Sequence, residues 1–163
     1  MKSLLVGVSA FAIYCGLVAV PGEWFWFDPT APTIADSRVS DDPEVSYVRE
    51  IKVEASIKYS TVVRTSDESE PVCVDNGGPY DYKPERSGPV TDTTLSEWTT
   101  DERCHALPAG VYYGQVTWTI MNPYGDLLPK WLQPIFGNLA LIIPPKYIER
   151  DIPIFKRLPK TEG

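Results

Sequence analysis

Three cysteines and one histidine are the side chains best suited to covalent or metal chemistry in this 163-residue chain. Cys104 and His105 are sequence neighbours, and a thiolate beside an imidazole can act as a nucleophile. Against that use, Cys73 is available to pair with Cys104 in a disulfide where the compartment is oxidising. Zinc would need four ligands at usual spacing, whereas Cys73, Cys104 and His105 supply three, two of them adjacent. The carboxylates Asp75, Asp81 and Glu85 do not match the spacing of a calcium loop, and acidic residues alone do not make a glycosidase. No phosphate-cradling glycine loop and no G-x-S-x-G elbow is present. The chain is therefore expected to be non-enzymatic, with no cofactor and no metal; an exported hydrolase is the weakest of the functional alternatives.

The elements that would position these residues begin with an apolar run. Leu4 to Val20 contains no charge, and as a helix it would extend roughly 25 Å at about 1.5 Å per residue, near the thickness of a bilayer's hydrocarbon core. Pro21-Gly22 ends it, and Trp24-Phe25-Trp26-Phe27 follows as an aromatic cluster suited to the headgroup level. Residues 1–27 are expected to form an N-terminal transmembrane anchor of the signal-anchor type, with a cleaved signal peptide and secretion as the rival, although Val18-Ala19-Val20 lacks the A-x-A cleavage pattern. Lys2 precedes the run, while Glu23, Asp28 and Asp36 follow it before Arg38, so the N-terminus is expected in the cytoplasm and the remainder in the periplasm or outside the cell. Residues 28–44, rich in Pro, Asp, Ser and Thr, read as a stalk or linker that could hold a domain up to roughly 50 Å from the membrane.

On the exported side thiols oxidise. With Cys15 inside the anchor, Cys73 and Cys104 are expected to form a disulfide, stabilising by roughly 3–4 kcal/mol through closure of a loop of about 30 residues. The formal charge of −7 argues against nucleic-acid binding, which needs clustered Lys and Arg. That charge is uneven: 16 acidic and 8 basic residues lie between Asp36 and His105, against 4 and 6 from Asp126 to the end.

Sixteen prolines favour strands and loops over long helices. From Val45 to Thr65, Ile51, Val53, Ala55, Ile57 and Tyr59 alternate with Lys52, Glu54, Ser56, Lys58 and Ser60, the period of one bulged strand or two strands. Val72-Cys73-Val74 is a short strand, Asp75 to Pro89 a long loop by its Gly and Pro content, and Thr91 to Thr99 a further strand candidate. In the best strand, Tyr112, Val116, Trp118 and Ile120 face one way and Gln115, Thr117 and Thr119 the other. Lys146 to Gly163 reads as an edge strand whose last residues, 159–163, form a disordered tail. Asp126 to Gly137 is apolar but broken by Pro129 and Pro134.

Leu107-Pro108-Ala109-Gly110-Val111-Tyr112 leads into that best strand, and its L-x-x-G-x-Y pattern resembles the tyrosine corner of immunoglobulin-like and fibronectin-like sandwiches. The plan as a whole resembles small membrane-anchored proteins of bacteria and their phages. The resemblance implies a mainly β protein in which an immunoglobulin-like antiparallel β-sandwich, residues 45–158, follows the membrane helix. It transfers no catalytic residue, and Cys104 precedes the corner instead of following it as in antibody domains. The expected function is binding of another protein, with a structural part in a phage particle or envelope assembly as the alternative. Binding is expected at Trp131, Leu132, Ile135 and Phe136 of the apolar loop, and at Tyr80, Tyr82 and Arg86 of the disulfide-bounded one.

Overall fold

The computed structural model describes residues 2–66, 70–121 and 143–160, with side chains from residue 6 onward. Two sheets are built around two strands. The first is centred on β4 (Glu44–Ile51). Val45 pairs with both Thr93 and Ile34, and Arg49 with both Gly88 and Pro29. Strand β7 (Gly88–Thr94) therefore occupies one edge of β4, while β1 (Phe27–Pro29) and β2 (Thr33–Ile34) share the other. The second sheet runs β3-β9-β8-β5-β6, with β3 Ser37–Arg38, β5 Ala55–Thr65, β6 Pro71–Tyr82, β8 Gly110–Met121 and β9 Lys146–Leu158. Among the described residues every pairing is antiparallel except β3 with β9, which is parallel. Along the chain, β4 lies in the first sheet, β5 and β6 in the second, β7 in the first again, and β8 and β9 in the second.

Alternation explains the core. Strand β8 buries Tyr112, Gly114, Val116, Trp118 and Ile120 and turns the residues between them outward or half outward. Trp118 lies between the sheets, its ring 5.7 Å from Phe27 and 6.1 Å from Tyr47. Gly114 is required there by space: a Cβ would come within 2.5 Å of the Val62 carbonyl oxygen. A second cluster joins Ile34, Val45, Val63, Leu107, Tyr112, Ile152 and Phe155 around the disulfide.

The turn before β8 behaves as its sequence implies. The Tyr112 hydroxyl donates to the carbonyl of Pro108 at 2.8 Å, and its ring stacks on Phe155 at 5.5 Å. Tyr112→Phe keeps the packing and removes one donor, leaving that carbonyl unpaired by the hydroxyl. A loss of about 1 kcal/mol in unfolding free energy is expected, read by urea denaturation.

Several sequence expectations are corrected. Among the described residues no helix is long and apolar enough to cross a membrane, so the transmembrane assignment of α1 (Lys2–Ala19) has no structural support. The aromatic cluster after it divides: Trp26 and Phe27 are fully buried in the sandwich, while Trp24 and Phe25 remain exposed around α2 (Gly22–Phe25). The stretch 28–44 is not a stalk. It supplies β1, β2 and β3, and Ile34 enters the core, because short strands pinned to β4 and β9 bury enough apolar surface to order a polar segment. The first strand of the two sheets thus begins at Phe27, ahead of Val45.

The presumed Asp75–Pro89 loop is mostly strand β6, followed by a single turn of 3-10 helix at Pro84–Arg86 and the start of β7. The strand expected at Thr91 to Thr99 stops at Thr94, where α3 (Leu95–Trp98) begins. Glu97 reaches back to accept from the Thr94 backbone N–H at 3.1 Å, the reciprocal cap that starts a helix. Strand β9 is an edge strand only in part, since it pairs with β8 along its length and with β3 near its end.

Candidate functional site

The covalent candidates serve architecture. Cys73 on β6 and Cys104 on α4 (Glu102–His105) form the expected disulfide, with both residues buried. Two strand-positions from Cys73, the buried Asp75 carboxylate accepts from the Thr100 N–H at 2.9 Å, the Thr100 hydroxyl at 2.6 Å and the Asp101 N–H at 3.1 Å. One bond and one carboxylate thus fasten the α3–α4 crossover to β6. His105 Nε2 sits 2.9 Å from the Thr99 carbonyl oxygen, so the imidazole is held inside the crossover. Among the described residues no group of three or more His, Cys, Asp or Glu is placed to hold a metal ion.

The other candidates diverge. Trp131, Leu132, Ile135 and Phe136 lie outside the described residues. Tyr80, Tyr82 and Arg86 are brought together where β6 ends. Among the described residues strand β6 pairs only with β5, at the end of the sheet's strand order. Tyr80 is 49 % exposed, yet its ring stacks on Tyr59 with centroids 6.2 Å apart. Tyr59 is held in turn by donating its hydroxyl to the Trp98 carbonyl at 3.2 Å. It also fills the space beside Gly77, where a Cβ would fall 2.3 Å from its ring. Gly78 adopts φ +95°, a conformation open to glycine. The Gly-Gly pair that looked like a loop signal is a fitting for this aromatic stack inside a strand.

Tyr82 is half-buried. It meets Phe27 edge-on at 5.3 Å, and the Arg49 guanidinium lies 5.5 Å from its ring centroid. Arg49 Nε donates to the Arg86 carbonyl at 3.0 Å, which fixes the 3-10 turn and leaves the Arg86 side chain exposed. Arg49, which holds Tyr82 and the 3-10 turn in place, lies outside the residues that the sequence singled out. The available signal was phase: Val45, Tyr47, Arg49 and Ile51 alternate, so a charge falls on the core-facing side of β4, where it needs partners.

Burial raises the Tyr82 phenol to about 12, and burial followed by the nearby Asp75 charge raises Tyr59 above the ordinary tyrosine range. Both phenols are neutral in the fold, so the stability they confer is complete below about pH 10 and is lost as pH rises toward their folded values. Unfolding free energy is expected to fall between about pH 10 and 12, and Tyr82→Phe should flatten that decline. Denaturation curves across the interval, with phenolate absorbance as the second readout, check the sign.

The surface therefore presents one rigid, exposed tyrosine, a second tyrosine under a cation, and an exposed arginine. It offers contact area and hydrogen bonding rather than a nucleophile with a base. No family model matches the chain, and neither a curated protein nor a solved structure matches it.

Proposed function

We propose that this is a non-enzymatic, membrane-attached protein whose exported immunoglobulin-like sandwich binds another protein through Tyr80, Tyr82 and Arg86. The observation that carries the reading is the exposure of Tyr80 on an outer strand while Tyr59 and its hydrogen bond to Trp98 hold the ring in place. An aromatic anchor fixed before contact loses little rotamer entropy on binding, and tyrosine with arginine is the usual chemistry of interface hot spots.

Support for the immunoglobulin-like assignment comes from the alternation of strands between sheets, the parallel β3–β9 pair and the Tyr112 to Pro108 hydrogen bond. Export is supported by the buried Cys73–Cys104 disulfide, which persists in oxidising compartments. Attachment is supported by α1, on which Val6, Val8, Phe11 and Ile13 are exposed. The double variant Tyr80→Ala, Arg86→Ala is expected to weaken capture of the bound protein by roughly 30-fold or more, the equivalent of about 2 kcal/mol, while the unfolding midpoint stays put. Unchanged capture with an unchanged midpoint would remove the site from these residues.

A further inference from the structure

The helix α1 and the sandwich meet at a built junction. Lys146, the first residue of β9, is mostly buried, and its ammonium group donates to the carbonyls of Leu17 (3.2 Å) and Val18 in the last turn of α1. A cation at a helix C-terminus satisfies carbonyls that have no helical partner and complements the dipole. Gly22 then packs so tightly that a Cβ would lie 3.1 Å from Ile120 and Lys146 and 3.3 Å from Ile148. Lys52 donates to the carbonyls of Glu23 at 3.1 Å and Trp24 at 3.4 Å. Arg150 reaches Glu23 at 2.8 Å and Asp28 at 3.2 Å. With its backbone held this way, Trp24 stays 72 % exposed, and Phe25 is exposed beside it. Tyr147, 64 % exposed, comes from β9 and lines the same depression as Pro21, Gly22 and Glu23. Exposed aromatics from two distant parts of the sequence thus gather at the foot of one apolar helix.

What covers that helix is decided by the spread of its exposed residues. At about 100° per residue, Val6 and Ile13 lie on one side of α1 and Val8 and Phe11 on the opposite side, all of them exposed. A protein groove covers one side; a lipid phase covers both. Tryptophan and tyrosine at the foot are the residues that favour the boundary between hydrocarbon and water, since each has an apolar body and a polar tip.

We propose that Trp24, Phe25 and Tyr147 form a membrane-contacting rim, so that this end of the sandwich rests on the lipid headgroups into which α1 projects. The inference rests on the membrane attachment proposed above and adds the orientation and the lipid-facing residues. A domain standing off on a stalk is replaced by one seated on the surface.

The test uses the full chain with Cys15→Ser, reconstituted in vesicles of phosphatidylcholine and phosphatidylglycerol, with one nitroxide label at Tyr147→Cys, Phe11→Cys or Val111→Cys. Val111 lies near the opposite end of β8 from Ile120, roughly 30 Å away at about 3.3 Å per residue. Collision with a water-soluble nickel chelate is expected to be at least about fivefold lower at position 147 than at 111, and lower still at 11. If position 147 is as accessible as 111 while 11 is shielded, α1 is embedded but the rim is overturned. If 11 is also as accessible as 111, the attachment itself fails, and the rim with it.

Discussion

Replacing Cys73 and Cys104 together by alanine is expected to lower the unfolding free energy by about 3–5 kcal/mol, the upper end coming from two buried sulfurs lost in addition to the cross-link. The half-cystines are 31 residues apart, and the segment they close contains most of β6, the 3-10 turn, β7 and the α3–α4 crossover. Without the bond, α4 would be held to β6 chiefly by Asp75 and its three hydrogen bonds from Thr100 and Asp101. Asp75 is buried, with one carboxylate oxygen lacking a hydrogen-bond partner among the described residues, so its contribution depends on a crossover that stays in place. Urea unfolding of the full chain, oxidised against the double variant, gives the difference. A loss below about 1 kcal/mol would mean that Asp75 and packing hold the crossover without the cross-link. Because β6 carries Tyr80, the variant should also weaken the protein capture proposed for this surface.

The second large effect separates two tryptophans that are neighbours but one in sequence. Trp26→Ala is expected to destabilise by about 3–5 kcal/mol, the range for a large aromatic removed from a closed core. Its side chain is fully buried with Phe27, Tyr47, Ile57, Trp118 and Ile120. Its backbone carbonyl also accepts from the Lys52 N–H at 2.8 Å, where the chain leaves β4. Trp24→Ala should stay within about 0.5 kcal/mol of the parent in the same measurement, as befits a surface position. A membrane-interface belt made of all four aromatics would give two small effects instead. Equal losses at both positions would contradict the division of this cluster between core and rim.

What the sequence made legible follows from how burial was written in it. Strand β8 was readable because its inward residues are large, alternate over five positions and face a closed core on one side only. The Tyr112 turn and the disulfide were readable because each depends on a few residues whose chemistry has few other uses. Strands β4 and β5 were harder to separate: the alternation of Ile51, Val53, Ala55 and Ile57 continues through the bend at Lys52–Glu54, so one apparent face belongs to two sheets. Strands β1 to β3 are two or three residues long, too short to show any period, and only the buried Phe27 and Ile34 betray them.

The candidate surface was half legible. Tyr80, Tyr82 and Arg86 stood out as aromatic and cationic residues in a closed segment, but the Gly77-Gly78-Pro79 run argued for a loop. The glycines are there because the Tyr59 ring occupies the space of a side chain, a long-range contact that local composition does not encode. Arg49 and Tyr59, which hold the surface, belong to other strands and become its neighbours only through pairing. The same is true of Tyr147, separated from Trp24 by most of the chain and joined to its neighbourhood by the seating of Gly22 against β8 and β9.

Recognition of a protein at the end of β6 is tested most directly by placing a photo-crosslinking residue at Tyr80 or at Val111 in the full chain and illuminating native membranes. A discrete protein adduct is expected from position 80, absent from 111 and reduced by Arg86→Ala in the same chain. No adduct at 80 beyond the yield at 111 would contradict a protein-binding role for this surface.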